Sequence, residues 1–152
     1  MRTRALVAAA GLVLLLPASA AAQRLDLTIS PLVITFPSSD PDAVPTIVSP
    51  PVQVTYRVRQ NNNAPWSLTV LAGGDLISGP SQVDISNVTW VATPAPPFQS
   101  GTLSKTVAQR VASGTGNVNP DGIGSITFRL SNSWTYNTGT YTQTILFTLT
   151  AP

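Results

Sequence analysis

From Val52 to Gln60 the chain reads VQVTYRVRQ, and Val52, Val54, Tyr56 and Val58 alternate with Gln53, Thr55, Arg57 and Arg59. A period of two belongs to a strand that buries one face and wets the other, and a helix cannot satisfy it. The same alternation recurs along the chain. In RLDLTISPLVITF, Leu25, Leu27 and Ile29 share a face, and Leu32, Ile34 and Phe36 resume the alternation after Pro31. A proline there predicts a bulge or a chain that passes from one sheet to another. PWSLTVLA points Trp66, Leu68 and Val70 inward, and Gly73-Gly74 closes it. QVDISNVTWVAT reads as a strand bent near Ser86-Asn87, with Asp84 in mid-strand, and IGSITFRLS as another. The last, TYTQTILFTLTAP, places Tyr141, Ile145, Phe147 and Leu149 on one face. LSKTVAQRVAS has apolar residues at intervals of four, compatible with a strand or a short helix, and its neighbours favour strand.

Turn chemistry separates these runs. The stretch 37–51, PSSDPDAVPTIVSPP, reads as a Pro-rich surface loop, Asn61 to Pro65 as a turn, ATPAPPFQSG as a loop and GTGNVNPDG as a tip. Seven or eight short antiparallel strands spaced by turns predict an all-β, immunoglobulin-like sandwich. Uneven strands and long proline loops fit a closed barrel less well, and no internal repeat is visible.

The first residues set the compartment. MRTRALVAAAGLVLLLPASAAA carries Arg2 and Arg4 before an apolar run, then small residues of the kind a signal peptidase cleaves, so residues 1–22 are expected to be a removed signal peptide. A membrane span needs about 20 apolar residues, and this run is shorter. The expected product is a single domain, 23–152, exported to the periplasm, the cell surface or the medium, and without a membrane anchor. Without Arg2 and Arg4, six basic residues balance six Asp, so no basic patch for nucleic acid is expected. There is no cysteine, so no disulfide or thiol lipid anchor supports the fold and the core must carry its stability.

Chemistry is sparsely provided. Without His or Cys, neither a Ser-His nor a Cys-His nucleophile can be assembled, and zinc lacks its usual ligands. A glycosidase would need two carboxylates about 5–10 Å apart, yet Asp40, Asp42, Asp75 and Asp121 adjoin Pro or Gly in turns, where Asp serves the backbone. No calcium-loop pattern appears. Asn87-Val88-Thr89 matches the three-residue glycosylation pattern, a match common by chance in Thr-rich chains. A Ser-Lys pair through Lys105 has no motif around it. The chain is therefore expected to be non-catalytic, with no metal and no cofactor. The aromatic residues remain. Trp66 opens a strand whose face Leu68 and Val70 continue, which marks core, and Trp90 fits either role. Trp134, Tyr136 and Tyr141 lie in SNSWTYNTGTY, where an aromatic can stack on a sugar, anchor a partner or cap the open end of the sandwich.

Two segments carry a family resemblance over Val52 to Pro152. Trp66-Ser67-Leu68 opens a strand before a Gly turn, and the chain ends GTYTQTILFTLTAP with Phe147-Thr148-Leu149. This layout resembles the WxL domains of bacterial surfaces, whose second motif also has tryptophan where this chain has Phe147. The resemblance implies a β-sandwich held non-covalently on peptidoglycan, with cell-wall polysaccharide or another surface protein as partner. The tail is also similar to the last strand of spore-coat-U-like secreted pilus subunits. That similarity implies self-association, with a segment such as RLDLTISPLVITF completing a neighbour's sandwich by strand addition.

Overall fold

The computed structural model describes residues 23–60 and 62–152; the expected signal peptide lies outside them. Among the described residues twelve strands run in chain order as β1 Arg24–Ser30, β2 Val33–Phe36, β3 Thr46–Val48, β4 Val52–Arg59, β5 Pro65–Ala72, β6 Leu76–Ser78, β7 Ser81–Val83, β8 Val88–Thr93, β9 Gly101–Thr102, β10 Gln109–Thr115, β11 Val118–Ser131 and β12 Tyr141–Thr150. They form two six-stranded antiparallel sheets, a β-sandwich. One sheet has the order β1-β4-β11-β8-β9, with β3 added to β11; the other has β10-β5-β12-β6-β7, with β2 added to β12.

The period-two residues build the core. Val52, Val54, Tyr56 and Val58 are buried from one sheet, and Leu68, Val70, Ile145 and Phe147 meet them from the other. Pro31 separates two strands that join different sheets. β1 pairs with β4, Leu27 opposite Tyr56, and β2 pairs with β12, Phe36 opposite Tyr141. Leu25 to Phe36 is thus paired within its own chain.

Aromatic rings lie on glycines across the strands. Gly114 is the register partner of Trp66, and a Cβ there would stand 2.6 Å from the indole Cζ2. Gly101 is the partner of Trp90, where a Cβ would meet the ring at 2.5 Å. Tyr56 covers its partner Gly122, and Phe98 covers Gly124. Glycine is required by close approach of the ring, which needs the volume a methyl would take. Three of these rings join: Tyr56 lies 5.0 Å from Trp66 of the opposite sheet and 5.9 Å from Phe98, the latter edge-on.

Several local expectations change. The Pro-rich stretch 37–51 contains β3, whose Ile47 is buried opposite Leu130, because Thr46-Ile47-Val48 finds unpaired β11 edge there. The expected tip at 114–122 shrinks to a tight turn. Gly116 takes φ +73°, and β11 already runs through Pro120 and Asp121 across a register shift. Asp84 is not in mid-strand. Its carboxylate accepts from Ser86 N and caps a 3-10 turn, Ile85–Asn87, that makes the expected bend. Leu103 to Ala108 is loop, and the strand begins at Gln109. Most of the added strands are two- to four-residue pieces too short to show a period.

β12 is left half covered on one edge. Ile145 N–H donates to Leu32 O at 3.0 Å, and beyond that point no strand among the described residues pairs with this side of β12. The other sheet ends at β1 beside it. Leu27, Ile29, Leu32, Leu146 and Phe147 line the groove between them.

If the rings require their glycines, Gly114→Ala and Gly101→Ala will each destabilise the domain by about 1–3 kcal/mol through overpacking, although alanine suits a strand no worse than glycine. Gly79→Ala, where a Cβ would meet nothing within 4 Å but φ is +54°, tests backbone strain alone. Urea unfolding of the three variants separates these costs.

Candidate functional site

The cleft opens at the end of the sandwich where β12 begins. Two loops frame it, 37–45 after β2 and 132–140 between β11 and β12. Asn132 ties them together. Its amide donates to Ser39 O and Val44 O, both at 3.0 Å, and its backbone N–H donates to Pro45 O. Each loop is also held from within. Asp40 accepts from Asp42 N at 2.9 Å and, through its carbonyl, from Val44 N, an Asx turn that serves the backbone as expected of Asp. Ser133 bonds Thr135 twice, and its carbonyl accepts from Tyr136 N.

These loops bring Trp134, Tyr136 and Tyr141 onto one cavity of about 310 Å³. Tyr141 forms its floor: it is buried, and its hydroxyl donates to Asn137 O at 3.0 Å. Tyr136 is half-buried beside it, ring centres 6.4 Å apart. Burial raises the Tyr136 phenol above its usual range, so it serves as a neutral hydroxyl near pH 7. Trp134 stands at the rim with 70 % of its surface exposed. Its indole N–H donates to Asp42 Oδ1 at 3.2 Å, which fixes the ring's orientation and leaves its surface to solvent. Among the described residues no Lys or Arg lines the cavity; Asp40, serines 38, 39 and 133, Asn132, Asn137 and Thr138 bring polar groups to it.

The motif residues lie elsewhere. Trp66 and Leu68 are buried in β5, and Phe147 and Leu149 face them from β12, Leu149 opposite Leu68 and Phe147 opposite Val70. The Trp66 indole N–H meets no acceptor among the described residues, so the ring is held by packing alone. Trp90 is also buried, its N–H donating to Gln99 O at 2.8 Å.

A second polar cluster surrounds Asp75. Its carboxylate accepts from Lys105 Nζ at 2.6 Å, Gln82 Nε2 at 2.9 Å and Ile85 N at 3.0 Å, while Asp84 approaches Lys105 at 3.8 Å. Asp75 lies in the expected Gly turn between β5 and β6 and accepts a backbone N–H, and its carboxylate also clamps β7, the 3-10 turn and the 103–108 loop together; Asp121 is not in a turn but pairs with Arg57 from within β11. Among the described residues no three acidic side chains converge as a metal site. Asp42 and Asn132 were not legible as site residues, because their partners are about 90 residues away in sequence. No family model, curated protein or solved structure matches the chain.

The hydrogen bond from Lys105, with that from Ile85 N–H, holds the Asp75 carboxyl below its ordinary range. A carboxyl depressed in the folded state stabilises the fold above its unfolded pKa of about 3.9, and that contribution is lost as pH falls through the lower folded value. Asp75→Asn should therefore narrow the gap in thermal stability between pH 7 and pH 3. An unchanged gap would show that the clamp adds nothing.

Proposed function

We propose that the chain is an exported, non-catalytic surface binding module that holds a neutral cell-wall sugar in the cleft of Trp134, Tyr136 and Tyr141. The observation that carries this reading is the exposed Trp134 ring, oriented by Asp42 at the mouth of an aromatic-floored cavity. An exposed tryptophan in water loses apolar hydration whenever a flat ligand covers it, and it loses little entropy if it is already oriented. The apolar C–H face of a pyranose ring fits such a surface. Its hydroxyls match the amide, hydroxyl and carboxylate groups around the cavity, the few polar groups that orient a ligand in a mostly apolar pocket. The described lining holds Asp40 and neither Lys nor Arg, which disfavours anions. The resemblance to WxL domains points to peptidoglycan as the source of the sugar. In this reading the paired motif strands support the fold and take no part in binding.

The alternative, a polymer subunit that donates Leu25 to Phe36 to a neighbour, would require that segment to leave both β4 and β12. Its pairing within the chain favours the self-contained module.

Residues 23–152 should be retained on purified peptidoglycan, and Trp134→Ala should lower the affinity at least about tenfold, the loss of one stacking anchor. Because Trp134 is exposed, the melting temperature should stay within a few degrees. Equal retention of wild type and variant would refute the assignment of the cleft.

A further inference from the structure

We infer that the uncovered edge of β12 is a homodimer interface, at which a second copy of the chain pairs antiparallel with Leu146 to Ala151 about a two-fold axis. The inference is independent of the ligand in the cleft.

The edge fixes the geometry. Ile145 N–H points to this side, where Leu32 accepts it. With a period of two, Phe147, Leu149 and Ala151 present their N–H and C=O groups to the same side. None has a strand partner there among the described residues. An edge that offers a row of unpaired groups is a template for another strand, and chains that avoid pairing place Lys, Pro or a bulge on it. From Leu146 to Ala151 the sequence is LFTLTA, with none of the three. β12 keeps its register with β5 without a shift through Thr150.

A second copy fits this edge better than a foreign segment because the edge is complementary to itself. In a register centred on Leu149, Leu149 opposes Leu149 of the second copy and Phe147 opposes Ala151. These three pairs use every free group and stop short of the position held by Leu32. Thr148 then faces Thr150 of the second copy on the outer face, where no charge meets charge. Both sheets end on this side, one at β1 and the other at β12, so a single two-fold axis brings both ends against their counterparts, as an isologous contact requires. The surface around the edge is apolar. Leu32 is 50 % exposed and Leu146 60 %, and Leu25, Leu27 and Ile29 of β1 are only partly covered. The charges present, Arg24 and Asp26, pair with each other at 3.1 Å. With six basic and six acidic residues over 23–152, two copies approach without net repulsion.

Light scattering after size exclusion tests the interface on residues 23–152, with circular dichroism melts to verify folding. At about 0.1 mM, well above a micromolar Kd, wild type should elute with twice the monomer mass. Thr148→Lys changes an exposed side chain, should leave the melt of the monomer cooperative, and should weaken association at least about tenfold by placing two like charges diagonally across the axis. Adding Thr150→Asp sets each new lysine opposite an aspartate of the other copy and should restore the dimer. A monomeric wild type would overturn the proposal, as would a dimer indifferent to Thr148→Lys. A double variant that remains monomeric would overturn the two-fold register, and longer assemblies that vanish when Leu25 to Phe36 is deleted would assign the edge to a donated strand instead.

Discussion

The sandwich depends on aromatic rings seated on glycines of neighbouring strands. Tyr56 and Trp66 face each other across the two sheets at 5.0 Å, and each ring lies over its own register partner, Gly122 and Gly114. A chain without cysteine has no covalent tie between its layers, so the rings must supply both apolar burial and registry. Because a one-residue slip would turn every side chain to the other face, the pairing of Trp66 with Gly114 and Trp90 with Gly101 sets the register of β10 on β5 and of β9 on β8. The cleft lies elsewhere, where β11 ends on β3 and β12 begins on β2.

Much of this architecture was legible from period alone. The faces of β4, β5 and β12 could be assigned because a long alternating run has one burial solution, and of the two outcomes that proline's missing N–H left open at Pro31, a bulge or a change of sheet, the chain takes the second. The short strands were hidden for the opposite reason. Thr46-Ile47-Val48 has no period of its own and is a strand because β11 has an unpaired edge at Arg129 to Ser131. Gly101, Gly114 and Gly122 read as loop or turn residues and Gly124 as part of a strand, since nothing in the local sequence signals that an aromatic ring lies above them.

The site was legible by composition and illegible in detail. Trp134, Tyr136 and Tyr141 stood out as aromatics among small polar residues, and they line one cavity. Asp42, which orients Trp134, and Asn132, which clamps the two loops, act across long sequence separations that no local pattern encodes. The two faces of the domain also divide along a line that composition conceals. Arg24, Arg57, Arg59 and Arg129, with Asp26 and Asp121, all belong to the β1-β4-β11 sheet. The outer face of β12 shows Thr142, Thr144, Leu146, Thr148 and Thr150 and carries no charge. Overall neutrality thus conceals one face that carries most of the strand charges and another whose strands, among the described residues, carry Arg110 of β10 alone.

The central claim is that the cleft is where the chain meets its ligand, and nuclear magnetic resonance titration with soluble peptidoglycan fragments tests it most directly. The account predicts that the Trp134 indole N–H and the side-chain amides of Asn132 and Asn137 shift together and saturably, while the Trp66 indole stays fixed. Shifts confined to Trp66 and the β5–β12 motif strands, with Trp134 unmoved, would contradict it.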